Sequence, residues 1–430
     1  GSWAQVGNDT SPYYINSGYS VATYQRGDKK IYGMTIPENM KSTNLKPERK
    51  NAWEVGLDWR FLDSRIGVDL TYYKENTRNQ IMTINVPWES GVKEKLINAG
   101  NIQNSGIEIA LNTTPIKKKQ WQWDLNFTYT RNRNKIVELS PDVTSYINLD
   151  GAANYGNYRI ASVAKVGSDY GMLMSDSWIK TDEKTGKPVV GYTNKFRTVY
   201  YKRGGTVKEV GSMLPNFLGS LNSTLRWKDL SLYVLFDARF GGYVASYNSR
   251  YATAYGFSGE TEKYRKGMTW TSKYANAQDK VFTDGFIPDV VFDAGTIVTT
   301  PGGTNQDVSG MTYQEAYEKG YVEPAHLQSA AYFKNSWGTG VINDDWFKKI
   351  NYIALREITL SYNVPTKISS FIGAKNLSLS FTGRNLAYLL NTAPNHENPE
   401  SVRGTGAAQF RMRSFMPYTA SYLFTLNATF

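Results

Sequence analysis

The sequence predicts an all-β fold, an antiparallel β-barrel that crosses a membrane through its strands. Three observations lead to this prediction: strands in which apolar and polar residues alternate, short turns that alternate with long loops, and an aromatic-rich composition without a long apolar run. The 430 residues include 31 Tyr and 11 Trp, residue types that favour strands. A run of about 18 apolar residues, which a helical span needs, is absent, but a membrane-spanning strand needs only about 9 to 11 residues with one apolar face.

The C-terminal segment SYLFTLNATF shows the alternation clearly. From Tyr418 to Phe430, aromatic residues, Leu and Ala occupy every second position, and Thr, Ser and Asn fill most positions between them, with Leu423 the exception. A period of two predicts a strand with one apolar face. Such a strand would promote aggregation if that face met water. Either a second sheet, as in a β-sandwich, or lipid must therefore cover it.

The same alternation recurs in four hairpins with short connections. The predicted pairs are 53–61 with 66–72, 107–111 with 121–129, 216–227 with 230–240, and 352–362 with 376–386. The connections between hairpins are long and rich in Gly, Asn, Tyr and charged residues, and they span 9–50, 76–104, 131–214, 240–350 and 387–416. If the short turns share one side of the sheet, all long loops lie on the other side. Transmembrane barrels have this asymmetry.

The alternation also assigns residues to the face that would meet lipid or form aromatic girdles at the borders of the membrane. The assigned residues are Trp53, Trp59, Trp121, Trp123, Phe127, Tyr422, Phe424 and Phe430. Asp69 and Glu108 alternate with apolar neighbours, so we expect them on the opposite face, lining a lumen.

Charge and motifs exclude several classes of function. The net charge is +11, but Lys and Arg are spread along the chain, so no nucleic-acid partner is expected; an anionic surface such as lipopolysaccharide would suit the same charge. Without Cys there are no disulfides or thiolate metal sites. His326 and His396 fall in predicted loops, and the pair Asp344 and Asp345 lacks the spacing of a calcium loop. We therefore predict no catalytic site, metal or cofactor.

Four loop aromatics are the candidates for contact with a ligand or a covering partner. They are Tyr13, Tyr14, Trp88 and Trp178. Aromatic faces can stack on sugar rings or on peptide side chains. Packing of one loop on another is the alternative explanation for the same residues.

Segments in consistent order along the chain resemble a known family. Residues 96–139, LINAGNIQNSGIEIALNTTPIKKKQWQWDLNFTYTRNRNKIVEL, resemble the C-terminal barrel of the SusC/RagA family of TonB-dependent outer-membrane transporters, and further likeness lies in 45–81, 352–365, 377–386, 398–402 and the last residues. The resemblance implies a 22-stranded barrel with an N-terminal plug, energised through TonB. It also implies a SusD-like surface lipoprotein as a lid that captures a glycan or peptide.

The chain departs from that family pattern in extent. No plug or TonB box is visible, and about ten strands are predicted, which would be the last ten of 22. We therefore expect residues 1–430 to be the C-terminal portion of such a barrel and to occur with an N-terminal portion, because open sheet edges are not satisfied in lipid. The expected function is active, non-enzymatic import across the bacterial outer membrane. The alternatives are a passive porin-like channel and a secreted β-sandwich that binds or hydrolyses glycans.

Overall fold

The computed structural model describes the chain in several continuous stretches. They are residues 1–86, 88–141, 143, 145–149, 160–195, 197–254, 257, 259, 267–325, 342, 347–402, 410–412 and 417–430.

Ten strands form one large antiparallel sheet in which each strand pairs with the next one of the ten. In chain order they are Ser2–Asn8 (β1), Glu48–Phe61 (β2), Ile66–Arg78 (β3), Gly100–Lys118 (β4), Trp121–Leu139 (β5), Phe217–Trp227 (β6), Leu230–Ser246 (β7), Phe347–Val364 (β8), Asn376–Asn391 (β9) and Ser421–Thr429 (β10). The short strand Arg411–Met412 adds to β7 in parallel. The ten strands and four hairpins predicted from the alternation are confirmed.

The connections alternate between short and long, as predicted. Within the hairpins they are 62–65, 119–120, 228–229 and 365–375, and the last of these carries the helix Thr366–Ser369 and the 3-10 helix Ser370–Ile372. Between hairpins they are 9–47, 79–99, 140–216, 247–346 and 392–420. Because the sheet is a meander, one of its ends carries all short turns and the other end carries all long loops. We call these the turn end and the loop end.

The predicted loop boundaries are wrong for β4 and β5. Residues 100–104 and 131–139, assigned to loops from their polarity, continue the two strands, each of which has 19 residues. The ladder pairs them as far as Leu139 with Gly100. Polar residues pair as well as apolar ones where water can reach both faces, so the end of the apolar pattern is not the end of the strand.

The edges of the sheet do not pair with each other. Among the described residues, β1 pairs only with β2 and β10 only with β9. The sheet is therefore open in the described part of this chain.

The long loops carry secondary structure of their own. Their strands are Ser20–Arg26, Lys29–Thr35, Asn39–Lys41, Ile81–Asn85, Glu94–Asn98, Tyr146–Asn148, Ile160–Lys165, Met172–Ser175, Val189–Thr193, Thr198–Tyr201, Lys208–Ser212, Met268–Thr271, Val281–Gly285, Val291–Phe292, Ile297–Thr299 and Asn305–Asp307. Their helices are Tyr247–Ala254 and Tyr313–Glu318, with 3-10 turns at Trp88–Ser90, Ala275–Ala277 and Pro394–His396.

The buried core lies mainly in these loops and at the loop end of the sheet. Tyr313, Phe292 and Phe410 are the largest fully buried side chains, and all three belong to the long loops. Over the part of the chain that is described, no helix is long and apolar enough to cross a membrane.

Candidate functional site

The strand register gives the large sheet two faces of different chemistry. Residues directly opposite each other in an antiparallel ladder lie on the same face. Three rows of one face are Trp123, Leu225, Leu232, Leu360, Phe381 and Phe424; Trp121, Trp227, Leu230, Tyr362, Leu379 and Leu426; and Trp59, Val68, Leu111 and Phe127. We call this the apolar face and its opposite the polar face.

All strand residues predicted to meet lipid or to form the girdles share the apolar face. They are Trp53, Trp59, Trp121, Trp123, Phe127, Tyr422 and Phe424. Phe430 follows β10 and is exposed. The indole N–H of Trp123 donates to Ser223 Oγ at 2.9 Å, so the polar nitrogen of this side chain has a hydrogen-bond partner on the apolar face. Contact of these residues with lipid stays a prediction.

Asp69 and Glu108 lie on the polar face, because their neighbours Leu70 and Ile109 pair on the apolar face. Hydroxyl pairs cross the strands there, with Thr359 and Thr382 at 2.9 Å. Five cations on this face are paired with carboxylates. The ion pairs are Lys50 with Glu75, Arg60 with Asp69, Arg226 with Asp124, Arg356 with Asp237, and Arg384 with Glu357. The polar face therefore presents hydroxyls and locally balanced charge.

Midway along β8, Arg356 ties a loop to the polar face. A bulge between Leu355 and Glu357 interrupts the register of β8. The guanidinium of Arg356 donates to Asp237 Oδ2 at 2.7 Å and to both carboxylate oxygens of Glu400 at 2.7 Å. The bulged position lets one side chain bind a neighbouring strand and the 392–420 loop together.

Glu400 is held further by a tyrosine. Tyr388 donates its hydroxyl to Glu400 Oε2 at 2.7 Å. Burial by itself raises the pKa of the Glu400 carboxyl, but the hydrogen bonds from Arg356 and Tyr388 outweigh burial and hold this pKa below its ordinary value. The carboxylate is thus charged at neutral pH and anchors the loop. From the sequence, the segment 398–402 was noted only because it resembles the family. The contact of Glu400 with Arg356 could not be predicted, because the alternation of apolar and polar residues does not show where a strand has a bulge.

Two long loops fold together into a compact unit, which we call the loop module and define as residues 178–203 and 267–325. Val189–Thr193 pairs in parallel with Val291–Phe292 from the next long loop. The buried core is Val190, Val199, Val290, Phe292, Val298, Val308, Tyr313, Ala316, Val322 and Ala325. Burial is the largest cause that raises the pKa of Tyr313, so this phenol stays neutral inside the module.

Sequence reasoning missed the loop module, although two signals for it are present. The helix Tyr313–Glu318 begins with a capping box, in which the Thr312 side chain accepts from the backbone N–H of Glu315 and the Glu315 side chain accepts from Thr312. The pattern Thr-x-x-Glu before a helix is readable from sequence. The segment 289–299 is also rich in β-branched residues. Pairing between separate loops, by contrast, leaves no local trace.

The first long loop projects a hairpin, which we call the loop hairpin and define as residues 20–35. Val21 pairs with Met34, and Tyr32 lies on the same side of the ladder. These three side chains are 61%, 75% and 70% exposed. An exposed apolar patch at a loop tip is typical of a surface that binds a partner.

Of the predicted contact residues, Tyr13 and Tyr14 lie in a tight turn that precedes this hairpin in the chain. Tyr13 has φ 63° and is 83% exposed. The ammonium of Lys41 lies 4.8 Å from the ring centroid of Tyr14, so one ring already has a cation on its face.

Trp88 and Trp178 have different surroundings. Trp88 begins the short helix Trp88–Ser90. Trp178 packs against Phe347 with ring centroids 6.2 Å apart, and its N–H donates to Ser175 O at 2.7 Å. Packing of loop on strand is therefore what the structure shows for Trp178. A ligand contact for any of these four aromatics stays a prediction.

No group of three or more metal-ligating side chains occurs in the described part of the chain. His396 lies in the 3-10 turn Pro394–His396, whereas His326, Asp344 and Asp345 fall outside the described residues.

Comparisons with known proteins all point to the same type of protein. Residues 1–243 match the family described as TonB dependent receptor-like, beta-barrel. The chain is 23% identical over 396 residues to TonB-dependent receptor P26 of Formosa agariphila, covering 90% of this chain and 34% of that protein. It is 29% identical over 180 residues to TonB-dependent receptor SusC of Bacteroides thetaiotaomicron, covering 41% and 17%. The chain thus spans about a third or less of the length of these relatives.

A solved structure shares the fold. The structure described as the RagAB peptide transporter aligns with a TM-score of 0.63 at 14% identity, covering 100% of this chain and 40% of that one.

Proposed function

The chain belongs to the TonB dependent receptor-like β-barrel family, and we propose from this premise that it forms the C-terminal wall of an active importer. Proteins of this family are outer-membrane β-barrels, so the chain is part of an outer-membrane protein. In our proposal the ten strands are about the last ten of 22, and a plug and further strands come from the rest of the same protein. Import draws energy from TonB through that remainder and involves no catalysis by this chain.

One observation carries the proposal: a ten-strand meander has an apolar face, a polar face, and all its long loops at one end. An apolar band bordered by aromatic residues suits hydrocarbon, and a polar face suits a water-filled lumen. The short turns then face the periplasm and the long loops face the outside. A secreted β-sandwich would need a second sheet over the apolar face.

The chemistry of the polar face supports a polar oligomer as the solute. We propose an oligosaccharide or an oligopeptide, since hydroxyl and amide groups of either can exchange hydrogen bonds with rows of Ser, Thr and Asn. Paired charges on the same face, such as Arg384 with Glu357 at 2.9 Å, leave little net field to reject or trap such a solute. The solved RagAB complex is described as a peptide transporter. This description supports oligopeptides as one of the two proposed solute classes.

We also propose that a SusD-like surface lipoprotein covers the loop end. The loop hairpin offers exposed Val21, Tyr32 and Met34, and aromatic residues and Met are enriched at the cores of protein interfaces. Tyr13, Tyr14 and Trp88 lie in the same pair of loops and would add to this surface or touch the captured solute.

Uptake by living cells tests the proposal. Cells that produce the full-length protein receive labelled oligosaccharide and oligopeptide mixtures, with TonB present or deleted. We expect one class to accumulate only when both the protein and TonB are present. Uptake that is unchanged without TonB would instead identify a passive channel, and accumulation of neither class would contradict the proposed solutes.

The lid is tested by co-purification. Changing Val21, Tyr32 and Met34 to Ser should release the lipoprotein, while changing Tyr24 and Ile31 on the opposite side of the loop hairpin serves as the matched control. Both variants should reach the membrane, because the hairpin lies outside the sheet. Lipoprotein recovery equal to wild type in the first variant would place the lid on the other loops.

A further inference from the structure

The apolar face carries a ladder of cations at the loop end of β3 and β5. In the segment YTRNRNK, which begins at Tyr129, every second residue after the tyrosine is a cation: Arg131, Arg133 and Lys135. Arg131 pairs with Ile107, which pairs with Tyr72, so these cations share the face of the aromatic rows. Lys74 follows Tyr72 on the same face of β3. We call these four cations the basic ladder.

The height of the basic ladder follows from strand geometry. Arg131 is ten residues from Trp121 at the turn end of β5. At about 3.3 Å per residue and a tilt of about 40°, ten residues rise about 25 Å along the membrane normal, which equals the height of the apolar band of such barrels. Below Arg131, the apolar face of β5 carries only Trp121, Trp123, Leu125, Phe127 and Tyr129. The basic ladder therefore begins at the outer border of the hydrocarbon.

Unlike five cations of the polar face, those of the basic ladder lack a carboxylate partner within the described part of the chain. Five cations on the polar face have a carboxylate within ion-pair distance. Arg131, Arg133, Lys135 and Lys74 form no ion pair with any residue that the structure describes. Unpaired cations beside a low-dielectric phase are stabilised when an anion accompanies them.

The surroundings of the ladder can admit a headgroup. Arg131 and Arg133 line a cleft of about 540 Å³, whose other walls include Tyr129, Phe217 and Asp169. Two carboxylates lie near, Asp169 in the cleft and Glu138 loopward of Lys135. Four cations against two carboxylates leave the region positive, with aromatic rings below it to meet acyl chains.

On the apolar face of β6 to β10, one cation lies near the loop end: Lys349 of β8, two residues before Asn351, the partner of Phe240. Arg226, Arg239 and Arg384 lie on the polar face by register, and Arg356, in the bulge of β8, binds Asp237 of that face. A run of three alternating cations on this face thus occurs on β5 and not on β6 to β10.

We propose that the basic ladder is a binding site for the phosphate groups of a phosphorylated glycolipid in the outer leaflet, as in lipopolysaccharide. This inference rests on the proposed outer-membrane orientation. Arg133 and Lys74 share one row two strands apart, about 10 Å, so separate phosphates of one headgroup can reach both. Acyl chains would lie along Tyr72 and Tyr129, and the sugar would enter the cleft.

The test compares two triple variants of the full-length protein with equal loss of charge. Arg131, Arg133 and Lys135 are changed to Gln in the first; Lys117, Lys118 and Lys119, exposed at the turn end of the same hairpin, are changed to Gln in the second. Binding of lipid A and of dephosphorylated lipid A is measured by native mass spectrometry and by titration in detergent. Heat-modifiable electrophoretic migration checks that each variant has folded.

The first variant should bind lipid A about 100-fold more weakly, because each cation at an anionic surface contributes about fivefold. The second variant should bind like wild type. Wild type should prefer lipid A to its dephosphorylated form, and millimolar inorganic phosphate should not displace it. Equal loss in both variants, or equal binding of the two lipids, would overturn the proposal.

A charge-retaining variant keeps the test decisive if the first triple variant does not fold. Arg131→Lys with Arg133→Lys should stay within a few-fold of wild type, whereas Arg133→Gln alone should lose about fivefold. If Arg133→Gln binds as wild type does, the proposal fails. Lipid binding is measured without transport, so its failure is separate from a failure of TonB-dependent uptake.

Discussion

An arginine at position 424 should block assembly of the barrel, whereas an arginine at the next position should not. Phe424 lies on the apolar face, paired with Phe381, and is 72% exposed in this chain. Thr425 points to the polar face, paired with Ser380. The two substitutions add the same side chain to adjacent residues of one strand and differ only in the face that receives it.

The cost follows from the depth of Phe424. It lies five residues from Thr429 at the turn end of β10. Five residues at about 3.3 Å and a tilt of about 40° place it about 13 Å along the membrane normal, near the middle of an apolar band about 25 Å tall. Arginine at the midplane costs about 2–4 kcal/mol, or about 30- to 700-fold in the folding equilibrium. Arginine at position 425 would meet water and should cost within about 0.5 kcal/mol.

The assay uses the full-length protein with either substitution. Outer-membrane fractions are compared for protein amount and heat-modifiable migration, and unfolding by denaturant in lipid vesicles gives the free energy. Phe424→Leu is the control, since it shortens the side chain without adding charge. Normal assembly of Phe424→Arg combined with loss of Thr425→Arg would mean that the register is wrong by one residue.

Three further predictions concern the loops and one strand start. The fold lowers the pKa of Glu400, so the stabilisation from its ion pair with Arg356 is fully present above about pH 4, the pKa in the unfolded chain, and is lost as pH falls through the folded pKa. Proteolysis of the 392–420 loop should therefore become faster on acidification. Glu400→Gln should make this proteolysis faster already at neutral pH. Phe292→Ala should cost about 3–5 kcal/mol in the loop module, measured by hydrogen exchange of 178–203 and 267–325, with exchange of the sheet unchanged. Gly100→Ala should cost more than about 1 kcal/mol in denaturant unfolding, because Gly100 has φ +126° and an added Cβ would lie against the backbone oxygen of Glu138.

The sheet could be predicted from sequence because its information is local. Each hairpin pairs neighbours in the chain, and a period of two assigns both the strand and its face. Trp121 and Trp227 illustrate the result: each was placed next to a short turn, and they pair with each other, with ring centroids 5.5 Å apart. The polar segment YTRNRNK made the predicted strand too short. An apolar pattern shows which residues can face lipid, but it does not show where the backbone hydrogen bonds of the strand end.

The candidate site was predictable only in its residue types. Loop aromatics are the predicted contact residues, and one of them, Tyr13, is exposed. Trp178 illustrates the limit, since packing on Phe347 depends on a strand almost 170 residues away. The anchor of Glu400 on Arg356 likewise requires a bulge that the alternation does not encode. Contacts between distant segments follow from the fold as a whole, so local patterns do not reveal them.

The separation between sheet and loop module has a physical consequence for function. The buried core residues of the module lie within 190–199 and 290–325, and none of them belongs to the ten strands. Its stability is therefore set by its own burial, while that of the sheet depends on ladder hydrogen bonds and the surrounding lipid. A surface that must change contacts as a solute passes can then rearrange at the cost of contacts within the module and of the packing of Trp178 on Phe347. If so, variants that loosen the module should alter capture of the solute while leaving the wall in the membrane.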